Sequence, residues 1–331
     1  MWVNRILFCF AAVFVVISLI IGYVAQLPIE NEEIINSMAC NVDEKMDAYR
    51  AKNQTAFVVG YTGEIGKEVV KELAKTKIFS NVFLVGRREV KFEDELFKDF
   101  KMEQKVVDFD KLDDSADVFK GHSVGICLMG TTRGKAGKEG FMKVDHDYIM
   151  KVGELAKAGG CQHYHLMSST GANRNSSFLY PKVKGEVEEE TRELGFERVS
   201  VYRPALLMCD RKESRPTEWL ARKLMAPMEY LSPGTMTSPT TTVAKAIINT
   251  IISPLTEPFE IFESKAIHRI TKPASDSKCK ATAAADTQTT SGGDTQAAAA
   301  DSPAPAADSP APAADSPAPA ADSPAPGAAE S

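Results

Sequence analysis

The chain has no Cys-x-x-Cys pair and no Cys/His cluster at metal-ligand spacing; its six cysteines are scattered over 331 residues. This speaks against a zinc site and suggests no disulfide framework. Cys127, Cys161 and Cys209 lie in or beside apolar runs, so buried free thiols are expected there. A basic excess is missing too. With a net charge of −6 and a pI of about 5.6, the chain has no overall field to gather nucleic acid, and direct nucleic-acid binding is not expected.

The two ends lack what a folded domain needs. From about Thr271 the composition narrows to Ala, Pro, Ser, Asp and Thr, and the heptad DSPAPAA recurs from Asp301, Asp308, Asp315 and Asp322, the last with Gly327 for one Ala. Such a segment cannot bury a core, so 271–331 is expected to be an extended, disordered tail. At the other end an uncharged apolar run of about nineteen residues, Ile6 to Val24, is long enough to span a bilayer as a helix. Residues 1–27 are therefore expected to anchor the chain in a membrane. The alternative is a cleaved signal segment, although the run is long for one and no small-x-small site follows it. Arg5 precedes the run and Glu30, Glu32 and Glu33 follow it, an order that points the next domain away from the cytosol. Asn53-Gln-Thr and Asn175-Ser-Ser are glycosylation sequons that matter only in that orientation. Met38 could act as an internal start that omits the anchor. Residues 28–53 read as a polar linker passing into a short helix around Asp43 to Lys52.

What remains, 54–270, is one domain, and its pattern is strand, tight turn, helix, repeated. Ala56 to Val59 is a short apolar run; Gly60, Gly63 and Gly66 follow, and Val69, Val70, Leu73 and Ala74 then recur at helical spacing. A strand feeding a glycine-rich turn brings backbone N–H groups and a positive helix end to one spot, where a pyrophosphate can approach. Gly60, Thr62, Gly63, Glu64, Ile65 and Gly66 are the candidates for that contact. Val82 to Val85 reads as a second strand ending in Gly86-Arg87-Arg88, and arginine at that place favours the 2′-phosphate of NADPH over the bare ribose of NADH. Val106 to Phe109 looks like a third strand, whose Asp108 would reach the adenine amino group. Val124 to Leu128 makes a fourth, and Gly130, Thr131 and Thr132 at its end would lie under the cofactor. Arg133 to Phe141 is basic and glycine-rich, a mobile loop over the site. A helix from Asp145 to Ala158 follows, then a fifth strand, His163 to Met167, ending in Ser168-Ser169.

Tyr180 and Lys184 are four apart at the start of a helix running to about Leu194, so both side chains can face the same way. A lysine ammonium beside a phenol favours the phenolate, and a serine hydroxyl from the preceding strand end can hold a carbonyl or alkoxide oxygen. Val199 to Arg203 reads as a sixth strand. The region Glu213 to Pro239 should build a small substrate side, with Trp219, Leu220, Leu224 and Met225 either lining a pocket or packing on the core. Val243 to Ile252 is a further helix, Phe259 to Phe262 a last strand, and Lys265 to Arg269 the end of the fold, with His268 in a structural place. The sum is an α/β protein with a doubly wound parallel sheet of the Rossmann kind.

Glycine turn, Ser-Ser and Tyr180-x-x-x-Lys184, in this order, resemble the short-chain dehydrogenase/reductase family, of the atypical or extended kind given Gly60-x-x-Gly63-x-x-Gly66. The stretches GTTRGKAG (130–137), ELAKAGGC (154–161), KGEVE (184–188), CDRKESRP (209–216) and SKAIH (264–268) are similar to a vertebrate NADPH-binding branch of it. The resemblance covers about 38–270. It implies Tyr180 as proton donor and Lys184 as the residue that binds the nicotinamide ribose and tunes Tyr180. Ser169 or Ser168 would polarise the substrate oxygen, with Ser169 preferred. Leu207 and Arg215 fall where the relatives contact the cofactor. Two departures stand out: Asp145 where many extended members have asparagine, and Pro181 directly after Tyr180. The implied activity is NADPH-dependent reduction of a small carbonyl substrate. The alternative is a nucleotide-binding regulator of transcription, nuclear import and apoptosis, with transcription or nuclear-import factors as partners. The resemblance also implies a place in the cytoplasm or at the nuclear envelope, above all if translation starts at Met38.

Overall fold

The computed structural model describes residues 31–131, 133–208 and 237–272, together with Tyr23, Ile29 and Cys279. The apolar run expected to form a membrane anchor lies outside the described residues apart from Tyr23, and nearly all of the tail lies outside them as well. Among the described residues no helix is long and apolar enough to cross a membrane.

Two short helices come first, α1 (Glu32–Met38) and α2 (Val42–Arg50). Then the alternation begins: β1 (Thr55–Val59), α3 (Glu64–Thr76), β2 (Asn81–Gly86), β3 (Met102–Val106), a broken 3-10 segment (Phe109–Phe119) and β4 (Val124–Cys127). Next are α4 (Arg133–Met142), one π turn (Lys143–Asp147), α5 (Tyr148–Ala158), β5 (His163–Met167), α6 (Leu179–Glu193) and β6 (Arg198–Arg203). A small strand pair, β7 (Leu206–Met208) and β8 (Thr237–Pro239), leads into α7 (Thr240–Ile252), β9 (Phe259–Glu263) and α8 (Ser264–Ile270).

Seven strands form one sheet in the order β3-β2-β1-β4-β5-β6-β9, and every neighbouring pair is parallel. The order reverses direction between β1 and β4, so the helices divide between the two faces and a crevice opens at the carboxyl ends of those strands. The strands themselves dictate this. A strand covered on both faces must be apolar at every position, and in β1 Ala56 and Val58 join the core on one face while Phe57 and Val59 join the core on the other. The first core is capped by α1, α2, α3, α7 and α8, through Ile35, Tyr49, Leu73, Ile247 and Ile267; the second by the 3-10 segment, α5 and α6, through Phe119, Val152 and Val187.

Several expectations are corrected here. The segment expected as a linker holds α1, whose Ile35 and Met38 are buried in the first core. The third strand is Met102–Val106 rather than Val106 to Phe109; it is a sheet edge with no fully buried residue, so it has no apolar run to announce it. The basic stretch expected as a mobile loop is helical, broken only at Gly137 with φ 72°. A disulfide joins Cys40 to Cys279, Cα atoms 5.6 Å apart, across 239 residues of sequence, a separation no local spacing reveals. Cys127 and Cys161 are buried free thiols as expected, and Cys209 lies outside the described residues.

Candidate functional site

Gly60 ends β1 with φ +83°, and a Cβ there would stand 2.7 Å from the backbone carbonyl of Leu128 at the end of β4. Only glycine fits, for the conformation and for the approach alike. A Cβ on Gly66 would meet the Gly60 carbonyl oxygen at 2.3 Å, so the first turn of α3 presses directly on the glycine turn. Gly63 is the N-cap of α3 and supplies no side-chain cap, which leaves the N–H groups of Glu64, Ile65 and Gly66 at an uncapped helix start. Thr62 and Gly63 are exposed beside them, whereas Ile65 and Gly66 are buried. The cradle therefore fits an anionic group of a dinucleotide: it has orphan donors, a positive helix end and no Cβ in the way.

Tyr61 fixes this turn to the neighbouring strand end. Its ring is buried and lies where a Cβ on Gly86 would be, and its hydroxyl reaches the Arg88 carbonyl oxygen at 2.8 Å and Gln104 Oε1 at 2.9 Å. Burial pushes its phenol up from the ordinary value. Gln104 in turn holds both backbone groups of Val90, at 2.8 Å each. The segment after β2 is thus set in place while the Arg87 and Arg88 side chains stand exposed, with no ion pair to either guanidinium among the described residues. Sequence reasoning missed Tyr61, although a large aromatic inside a glycine turn is itself a signal.

Asp108 is exposed at the end of the connection after β3. It caps the 3-10 segment, accepting from the Asp110 N–H at 3.0 Å.

At the end of β4, Gly130 is exposed and Thr131 half-buried; Thr132 lies outside the described residues. The Thr131 N–H donates to Asp145 Oδ2 at 2.7 Å. The other oxygen of Asp145 lies 2.8 Å from Lys184 Nζ, off the hydrogen-bond direction, so this contact is ionic. Asp145 is 1% exposed and Lys184 5%, which makes the pair an internal strut between the β4 turn and α6. Asp145 lies in the π turn before α5. A Cβ on Gly130 would come 3.4 Å from Asp145 Oδ1 and 3.9 Å from Lys184 Nζ, so the lysine reaches the floor of the β4 turn.

The serines after β5 differ. Ser168 is buried and its hydroxyl donates to Glu188 Oε1 on α6; Glu188 also accepts from Arg203 Nε at 2.9 Å, and Arg203 reaches Glu263 Oε1 at 2.9 Å. Ser169 Oγ is buried without a partner. An enclosed hydroxyl with nothing to bond is a place for a ligand atom.

The connection from Ser169 to α6 doubles back on the helix. The Asn173 N–H donates to the Pro181 carbonyl at 2.8 Å, and a Cβ on Gly185 would be 2.2 Å from the Arg174 nitrogen. Tyr180 is the second residue of α6, 45% exposed, its ring 5.6 Å from that of Phe141 on α4. Pro181 occupies the first turn, where a missing N–H leaves nothing unsatisfied, so the helix absorbs it without a kink. Leu207 is half-buried against the first core in β7. Arg215, Trp219, Leu220, Leu224 and Met225 lie outside the described residues. His268 stands in a structural position, Nε2 lying 3.1 Å from the Thr237 carbonyl oxygen.

Glycine turn, β4 turn and serine pair follow β1, β4 and β5, three adjacent parallel strands, at their carboxyl ends. This is the dinucleotide crevice of a Rossmann fold, and the model of the NAD(P)H-binding family matches residues 60–199. The chain is 48% identical over 224 residues to Protein HTATIP2 of Rattus norvegicus, which covers 68% of this chain and 92% of that one, and it belongs to the HTATIP2 family. It is also 34% identical over 168 residues to Protein fmp52, mitochondrial, of Aspergillus fumigatus, covering 49% of this chain and 70% of that one. Among solved structures, a short-chain type dehydrogenase/reductase from Mycobacterium ulcerans superposes with a TM-score of 0.49 at 16% identity, over 65% of this chain and 90% of that one, a likeness too slight to bear on chemistry.

Proposed function

We propose that this chain is an NADPH-dependent reductase of a small carbonyl substrate. The observation that carries the reading is the contiguous floor formed by Gly60, the β4 turn and Lys184, with the unpartnered Ser169 hydroxyl just past the end of the next strand. The bound nicotinamide would supply a hydride; the rest falls to the chain's own residues. The open start of α3 takes the pyrophosphate, and Arg87, with Arg88 beside it, takes the ribose 2′-phosphate. Gly130 and Thr131 form the surface on which the nucleotide rests, and Lys184 holds the ribose hydroxyls.

Ser169, rather than Ser168, donates to the carbonyl oxygen, because Ser168 already gives its proton to Glu188. Tyr180 protonates that oxygen as charge develops on it. Asp145, 2.8 Å from the Lys184 ammonium and bonded to the Thr131 N–H, holds that lysine between the β4 turn and α6.

The test is nucleotide binding by thermal shift on the full chain, with wild type beside Arg87→Ala and Tyr180→Phe. NADPH should raise Tm more than NADH does. Arg87→Ala should lose that preference, by about 10- to 100-fold in affinity for one charge-assisted bond. Tyr180→Phe should bind like wild type and show no NADPH oxidation across a panel of aldehydes and ketones on which wild type turns over. If neither nucleotide moves the transition, the reading is wrong.

A further inference from the structure

We propose that the folded domain stands in an oxidising secretory lumen, with Asn53 and Asn175 as N-glycan acceptors and the Cys40–Cys279 bond closed. Three features, far apart in the chain, ask for the same compartment. The first is the disulfide, which ties the short connection between α1 and α2 to the chain beyond α8. Cytosolic thiols are kept reduced, and disulfides persist where the surroundings oxidise them. The free thiols Cys127, in β4, and Cys161, just before β5, are buried, out of reach of exchange.

The second and third features are the sequons, for a glycan is bulky and tolerated only at the surface. Asn53 follows α2 with φ 52°. Its backbone is held on both sides, by the Arg50 carbonyl at 3.0 Å and by Ser80 Oγ at 3.1 Å, while its side chain is exposed with no hydrogen bond among the described residues. Asn175 lies in the connection between β5 and α6. Its N–H donates to Asn173 Oδ1 at 2.9 Å and the next residue, Ser176, accepts from the Phe178 N–H at 3.1 Å, yet its own side chain too is exposed and unbonded among the described residues. Neither asparagine belongs to a helix or strand, so a glycan at either displaces no packed side chain. The charge order of the sequence, Arg5 before the apolar run and Glu30, Glu32 and Glu33 after it, agrees in direction. A glycan on Asn175 would stand between Ser169 and Tyr180 in the chain, at the rim of the crevice.

The experiment uses the full chain expressed in cultured animal cells, lysed into a thiol-alkylating reagent and run on gels with and without peptide N-glycosidase and reductant. Glycosidase should speed migration by two steps. Asn53→Gln and Asn175→Gln should each remove one, the double variant both, and Ser177→Ala should reproduce Asn175→Gln with the asparagine intact. Without reductant, wild type should migrate differently from Cys40→Ser, and Cys40 and Cys279 should resist alkylation until reduced. A chain whose migration the glycosidase leaves unchanged overturns the proposal, as does one whose Cys40 and Cys279 are both alkylated at lysis. A single step overturns the assignment at the asparagine whose variant is silent. None of these readouts depends on nucleotide binding, so the two proposals stand or fall apart.

Discussion

Two histidines of β5, His163 and His165, sit side by side inside the molecule with ring centroids 3.8 Å apart. His163 Nε2 lies 2.9 Å from Ser200 Oγ and His165 Nδ1 3.0 Å from the Tyr202 hydroxyl. Burial first, then neighbouring positive charge, drives both well below the ordinary imidazole value. An unfolded histidine takes up a proton near pH 6.5 and these do not, so the unfolded state binds more protons as pH falls and stability declines with it. For the pair the loss should be about 2–3 kcal/mol between pH 7.5 and 5.5, by the same linkage. Buried His122, its value also lowered by burial, adds to it. His146 works the other way: burial opposes its charge, but Asp147 and Glu190 outweigh burial and raise its value, so it lends stability at low pH, discounted for its partial exposure. A Tm that falls over this range supports the account, and a flat profile contradicts it. The glycine turn was legible in the sequence because turn chemistry is local: Gly60, Gly63 and Gly66 announce their own geometry. The choice between Ser168 and Ser169 was not, because it depends on Glu188 and Arg203, which reach Ser168 only once α6 and β6 are packed.

Among the elements, those with an apolar run bounded by turn residues could be read directly. β5 lies where expected, between Gly159-Gly160 and Ser168-Ser169. β3 lies a few residues from the expected strand because an edge strand satisfies only part of its surface with apolar contacts, and the apolar Val107 and Phe109 belong to the turn that follows. α1 was hidden by brevity: seven residues carry too few turns to show a period. Its energetic part is nonetheless large. Ile35 and Met38 on α1 and Tyr49 on α2 are buried, and at about 1.5–3 kcal/mol for each the helix pair contributes roughly 5 kcal/mol. With reductant present, so that the Cys40–Cys279 bond is open in both, a chain beginning at Asn53 should therefore melt roughly 10–20 °C below one beginning at Asn31, measured by scanning calorimetry. Translation from Met38 would likewise forfeit Ile35 and leave Met38 without its helix.

At the scale of the whole molecule, the disulfide closes a loop across 239 residues. In the chain-entropy account a closure of that length stabilises by up to about 5 kcal/mol, acting on the unfolded chain. Cys279→Ser, or reduction of the wild type, should lower Tm by roughly 10 °C for a domain of this size. An unchanged Tm would mean that the bond is open in the protein as isolated. The doubly wound order itself was foreseeable, since alternating strand and helix with short connections admits few topologies. The joining of the two ends was not, for nothing within a short window of sequence says that α1 meets α8. They do meet: Arg269 on α8 donates to Asn36 Oδ1 on α1 at 2.7 Å, and the disulfide joins Cys40, after α1, to Cys279, further along the chain from α8. Synthesis runs from one end to the other, so α1 leaves the ribosome before any residue it will rest on in α8 exists. For most of translation Ile35 and Met38 have no surface to cover and Cys40 no thiol to find. Of the elements described, the helix made first is the one whose packing waits longest.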